Sequence, residues 1–128
     1  MAEMSNYLEQ ALINGTLRGT SYTAPTTTYL ALYTNDPTDA DTGTEITGGS
    51  YVRQAITFSS PSNGATSNSS AIEFPQATAD WGTITHVGIR DAVTSGNLLY
   101  HSALDTSKTI ANGDIFKITS TNLSVTLA

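Results

Sequence analysis

Apolar positions along this chain recur first with a helical period and then with a period of two. Tyr7, Leu8, Ala11 and Leu12 are spaced to share a helical stripe. Ser5 stands where an N-cap belongs. Glu9 lies near the start, on the favourable side of the helix dipole, and Asn14-Gly15 reads as a stop. One short N-terminal helix is therefore expected, and no other segment carries a convincing helical pattern.

Beyond it the pattern alternates. Thr28 to Thr34 is apolar on both faces, which predicts a centrally placed strand. In Val52 to Phe58, Val52, Ile56 and Phe58 point one way, and Arg53, Ala55 and Thr57 the other. Ile72 and Phe74 make a short strand that Pro75 ends. Thr83 to Arg90 carries Thr85, Val87 and Ile89 on one side. Asn97 to Ala103 follows a turn through Thr94-Ser95-Gly96, and Ile115 to Thr119 follows Asn112-Gly113-Asp114. Leu123, Val125 and Leu127 alternate with Ser124 and Thr126. About seven strands separated by turn signals predict a mainly β protein. The expected fold is a single antiparallel β-sandwich with one short N-terminal helix and two long loops. No repeat or linker divides it, so residues 1–128 read as one domain.

The two long loops are 35–50 and 59–70. The first is acidic, with Asp36, Asp39, Asp41 and Glu45, and the second is polar and nearly uncharged. Neither has an apolar stripe to fix it on its own domain, so at least one is expected to order against a partner.

Composition sharpens this picture. Charged residues make up 12% of the chain, against about 25% in ordinary globular proteins. Hydroxyl side chains replace them: Ser and Thr number 36 of 128. Branched Thr suits strands and Ser suits turns. The net charge is −6, and the five basic residues, Arg18, Arg53, Arg90, Lys108 and Lys117, are scattered. Nucleic acid and anionic membrane surfaces are thereby disfavoured as partners, since both need clustered cations. The absence of cysteine rules out disulfides and thiolate chemistry and points to folding in a reducing cytoplasm. No apolar run approaches the ~20 residues of a membrane span. Met1 to Glu9 lacks the basic start and apolar centre of a signal peptide.

Candidate chemistry is thin. Asp36 to Glu45 offers oxygen ligands and Gly43, but it departs from an EF-hand loop at the third acid and at the bidentate Glu. A solvated surface loop is the preferred reading. His86 and His101 sit in neighbouring expected strands, yet a third ligand such as Asp80 or Asp91 is not demanded by the spacing. Half-buried strand histidines are preferred there. No Gly-x-Ser-x-Gly elbow occurs, and no glycine-rich phosphate loop leads into a helix. Paired carboxylates for glycoside hydrolysis are invisible to sequence, but the acids cluster in loops. Trp81 is expected to plug the end of the core. Tyr22, Tyr51 and Tyr100 fit either core or interface. No catalytic residue, cofactor or metal is assigned.

Several stretches, taken in succession, resemble a family of small tailed-phage proteins commonly labelled tail fibre proteins. They are Ser5-Asn6-Tyr7-Leu8-Glu9, Leu17-Arg18-Gly19-Thr20, Tyr29 through Pro37, Gly48 through Gln54, Ala79-Asp80-Trp81-Gly82-Thr83, Gly96 through Tyr100, and Phe116 to Leu127. Similar proteins also serve as cement, or decoration, proteins on phage heads. Receptor-binding fibres are usually longer and repetitive, with coiled-coil or β-helical stretches that this chain lacks. The resemblance implies a non-enzymatic virion protein made in the bacterial host cytoplasm. The preferred expectation is a cement protein on the capsid exterior that bridges major capsid protein subunits and self-associates as a homotrimer. The alternative is a tail or tail-fibre component that contacts the host surface; a carbohydrate-binding or hydrolytic β-sandwich is a third reading. The expected partner-binding residues are Tyr22, Asp36, Asp39, Asp41, Tyr51 and Arg53, and the segment Gly15 to Pro25 is a candidate docking arm.

Overall fold

The computed structural model describes residues 2–127; Met1 and Ala128, the two ends of the expected domain, lie outside the described residues. Among the described residues the chain is mainly β, with antiparallel sheets and one helix. Strand β1 (Glu3–Met4) leads into helix α1 (Asn6–Leu17). β2 (Thr28–Tyr33), β3 (Gln54–Ile56), β4 (Ala65–Ser67) and β5 (Ile72–Glu73) follow. The long hairpin partners β6 (Gly82–Arg90) and β7 (Leu98–Ile110) come next, then β8 (Lys117–Ile118) and β9 (Ser124–Thr126). A five-stranded sheet runs β1-β7-β6-β2-β3, and two ribbons, β4-β9 and β5-β8, lie apart from it.

Ser5 caps α1 as expected: its hydroxyl accepts from the Leu8 backbone N–H. The helix does not stop at Asn14-Gly15. It continues to Leu17, and the backbone N–H groups of Arg18 and Thr20 both close on the Asn14 carbonyl. Gly19, at φ +69°, supplies the left-handed turn that ends it, so the operative stop is Arg18-Gly19.

The core fills the space between the sheet and the ribbons. Leu30 and Leu32 of β2 and Ile84, Val87 and Ile89 of β6 meet Ile72, Phe74, Phe116, Leu123 and Val125. Strict alternation placed Thr85 with Val87 and Ile89. The structure puts Ile84 there instead, because a register irregularity between Ile84 and His86 shifts the side-chain parity by one. A comparable break affects the third strand. Val52 is exposed and Arg53 buried, and only Gln54–Ile56 pairs as a strand. Ile115 is likewise exposed, and the neighbouring Phe116 is the core residue.

The expected loop 59–70 contains one short strand. Ala65–Ser67 pairs with Ser124–Thr126, and Asn68 is completely buried. Its amide donates to the carbonyls of Ser70 and Thr119, and its Oδ1 accepts from the Leu123 N–H. One side chain thus ties residues 68–70 to the turn 119–123.

The reverse face of β2 is buried too, as its apolar run foretold. Ala31 and Tyr33 are covered there, and Pro37 of the acidic loop is fully buried. A methyl added at Gly43 would meet Pro37 at 2.7 Å and the Tyr33 ring at 3.1 Å. The acidic loop therefore packs down over the sheet and is not a free, solvated strap.

Candidate interaction surface

Two buried arginines organise the acidic loop. The Arg90 guanidinium donates to both carboxylate oxygens of Asp41, at 2.8 and 2.9 Å, and to the Tyr33 hydroxyl at 2.9 Å. Its remaining bonds go to the carbonyls of Gly96 and Ser95. Arg53 grips both oxygens of Glu45 at 2.8 Å and donates to the carbonyls of Ala92 and Ser95. Bidentate pairs of this kind are the strong class of ion pair. Together they tie the acidic loop and the 91–96 turn to the sheet. Burial opposes ionisation of Glu45, but its bonds from Arg53 and Tyr51 outweigh that and hold its carboxyl below the ordinary value.

The expected partner-binding residues are accordingly engaged within the chain. Asp41 holds Arg90, and Arg53 holds Glu45. Tyr51 stacks on Phe74 at 5.9 Å and meets the edge of Trp81 at 5.5 Å, while its hydroxyl accepts from the Leu32 N–H and donates to Glu45. Trp81 is buried, with its indole N–H on the Gly49 carbonyl. Asp36 stays exposed, and half-buried Tyr22 has no clamp of this sort. Tyr22 lies in the segment 18–27, which has neither helix nor strand and is almost wholly exposed. The candidate arm, expected over Gly15 to Pro25, thus begins after the longer helix, and Thr20 and Tyr22 lie beside Gly15 of that helix.

Asp39 and Asp36 converge on His101, which the sheet register places opposite Glu3. His101 is 3% exposed. Its Nε2 lies 2.7 Å from Asp39 Oδ1, and its Nδ1 lies 3.7 Å from Asp36 and 3.8 Å from Glu3. His86 lines the same open cavity of about 310 Å³. The sequence alternative of Asp80 or Asp91 as a third group beside the histidines does not hold. Asp80 accepts from the Asn112 N–H, and Asp91 accepts from the backbone and side chain of Asn97. Both are turn formers.

Sequence reasoning missed two features. Glu3 enters the histidine cluster through a two-residue strand too short to leave a periodic signal. Helix α1 is apolar on two sides: Leu8 is buried, whereas Ile13 is 55% and Leu17 78% exposed. Ile13 and Leu17 are four apart and so adjacent on the helix surface, a signal that was present in the sequence but masked by the early stop. Tyr7, on the same helix, is also exposed.

Residues 3–126 match the model of the family described as Podophage GP4 fiber I protein gp80. No curated protein matches the chain.

Proposed function

The chain belongs to the podophage GP4 fiber I protein family, a family of phage fibre-type structural proteins, and on that premise we propose that it is a non-catalytic fibre subunit that docks on its neighbours in the particle. One observation supports the docking role most directly. Ile13 and Leu17 stand exposed beside the exposed segment 18–27 on a helix whose opposite side is already buried through Leu8. A helix that is apolar on both sides has a second packing partner to find. The partner proposed is a second copy of the chain, in a homotrimer, with no role for nucleic acid or membrane.

Light scattering on the purified protein tests this reading. The wild type is expected to elute as an oligomer, and Ile13→Ser with Leu17→Ser as a folded monomer. A monomeric wild type would defeat it. Turnover of host polysaccharide by the purified protein would defeat the non-catalytic part.

A capsid cement role is the second reading, with the major capsid protein as partner on the head exterior. It is favoured by the single small body without repeats or coiled coil. Quantifying the protein on gels of stripped virions separates the two. A handful of copies per particle supports the fibre, and hundreds support the head.

A further inference from the structure

We propose that Asn63-Gly64 is a self-modification site, where the asparagine loses its amide nitrogen through a cyclic imide and becomes an aspartyl or isoaspartyl residue. The inference is independent of the fibre reading. The chain holds three Asn-Gly pairs, at 14–15, 63–64 and 112–113. A glycine after asparagine leaves the following backbone nitrogen unshielded by a Cβ, so each pair is chemically capable of the reaction. That glycine nitrogen is the nucleophile, and the fold treats the three nitrogens differently.

Two of them are occupied. Gly15 lies inside α1, where its N–H belongs to the helical ladder. Asn14 is tied as well: its Oδ1 accepts from the Arg18 guanidinium at 3.2 Å, and its carbonyl accepts from the N–H groups of Arg18 and Thr20. The Gly113 N–H donates to the Ala77 carbonyl at 2.7 Å, and the Asn112 N–H donates to Asp80 at 2.8 Å. The third nitrogen is open. Asn63 and Gly64 are exposed and form the two-residue turn between Ser62 and Ala65. Their φ values are +52° and +75°, the left-handed pair that such a hairpin demands and that Asn-Gly supplies. The turn's own bonds run between Ser62 and Ala65, at 2.9 and 3.0 Å. Among the described residues nothing accepts from the Gly64 N–H, and nothing holds the Asn63 side chain.

The reaction balances with water as its only co-reactant. The Gly64 nitrogen bonds to Asn63 Cγ as the Cγ–Nδ2 bond breaks. Its proton passes through solvent to the departing amide nitrogen, which leaves as ammonia. Water then opens the imide. Cleavage at Cγ restores the main chain with an aspartyl side chain. Cleavage at the main-chain carbonyl leaves an isoaspartyl link, with the chain routed through Cβ and Cγ. Either product adds one negative charge, taking the net charge from −6 to −7. The isoaspartyl link also adds a carbon to the main chain where there is no slack. The Gly64 carbonyl accepts from the Leu127 N–H at 2.8 Å, and a Cβ on Gly64 would meet the Leu127 carbonyl oxygen at 2.8 Å. β4 pairs with β9 directly beyond the turn, so the added atom loosens β9.

Storage of the full-length protein in warm, mildly alkaline buffer, followed by peptide mapping with mass spectrometry, tests the site. Product is expected at least ~10-fold faster at position 63 than at 14 or 112, because each of those nitrogens must first break a hydrogen bond. In urea the three rates should converge, since the pairs share one dipeptide and only the fold separates them. The isoaspartyl form, isolated by anion exchange, should exchange amides 124–127 faster than the Asn63→Asp variant, which carries the charge without the added carbon. Equal rates at the three pairs in the folded protein would overturn the proposal. So would rates that stay apart in urea, or β9 exchange that is the same in the isoaspartyl form and the variant.

Discussion

The ring of Tyr33 lies against Gly88 so closely that a methyl group at Gly88 would come within 2.8 Å of Tyr33 Cε1. The same methyl would meet Leu98 Cδ1 at 2.8 Å. Tyr33 and Gly88 belong to paired strands, and the missing side chain on one makes room for the other. Gly88→Ala is therefore expected to cost about 1–3 kcal/mol through overpacking. Urea unfolding measures it, and an unchanged midpoint would contradict the packing described.

Asn68 should be costlier to replace. Three hydrogen bonds of this fully buried side chain depend on its amide, two of them part-buried, and each buried group left without a partner costs about 1–3 kcal/mol. Asn68→Ala is expected to lose at least ~3 kcal/mol on that basis. Asn68→Asp should fare little better, because a carboxylate cannot donate to the carbonyls of Ser70 and Thr119. Retention of wild-type stability by the aspartate variant would show that donation is unimportant there.

The Arg90–Asp41 pair governs the acidic loop. Asp41 is partly exposed, so solvent screens the pair, and Asp41→Asn should cost only about 1 kcal/mol globally. Its local effect should be larger. Amide exchange in residues 35–45 is expected to accelerate while that of β6 stays slow. Uniform acceleration across the sheet would show that the pair supports the whole fold and not the loop.

Arg53 and Glu45 are less exposed, and breaking that pair is expected to cost on the order of 3 kcal/mol in Arg53→Ala. The pH dependence follows from the lowered Glu45 value. A carboxyl held below its ordinary 4.5 contributes stability that is fully present above 4.5 and is lost as pH falls through the folded value. The stability gap between wild type and Glu45→Gln should therefore be constant near neutrality and shrink on acidification. A gap that widens below pH 4.5 would reverse the sign assigned here.

Period and punctuation made the class of the fold readable. Alternation at Leu30/Leu32, Val87/Ile89 and Leu123/Val125 marked core faces, and Ser5 marked the start of α1, because side-chain direction in a strand or helix is set by the local backbone. The same rule failed at Thr85 and at Arg53. An irregular pairing shifts parity in β6, and the strand at residue 53 begins later than its apolar neighbours suggest.

By itself the sequence determined a β-rich body with one capped helix, an acid-rich loop and a scarcity of cations. Tertiary structure alone decided where the charges went. Arg90 finds Asp41 across 49 residues, Arg53 finds Glu45 around a turn, and Glu3 meets His101 from the other end of the chain. Asp41, expected at a partner contact, and Glu45 of the same loop each hold an arginine within the chain. Alternation is fixed by bonds between adjacent residues. Ion pairs depend on how distant strands register and how loops return, and no spacing along the chain encodes that.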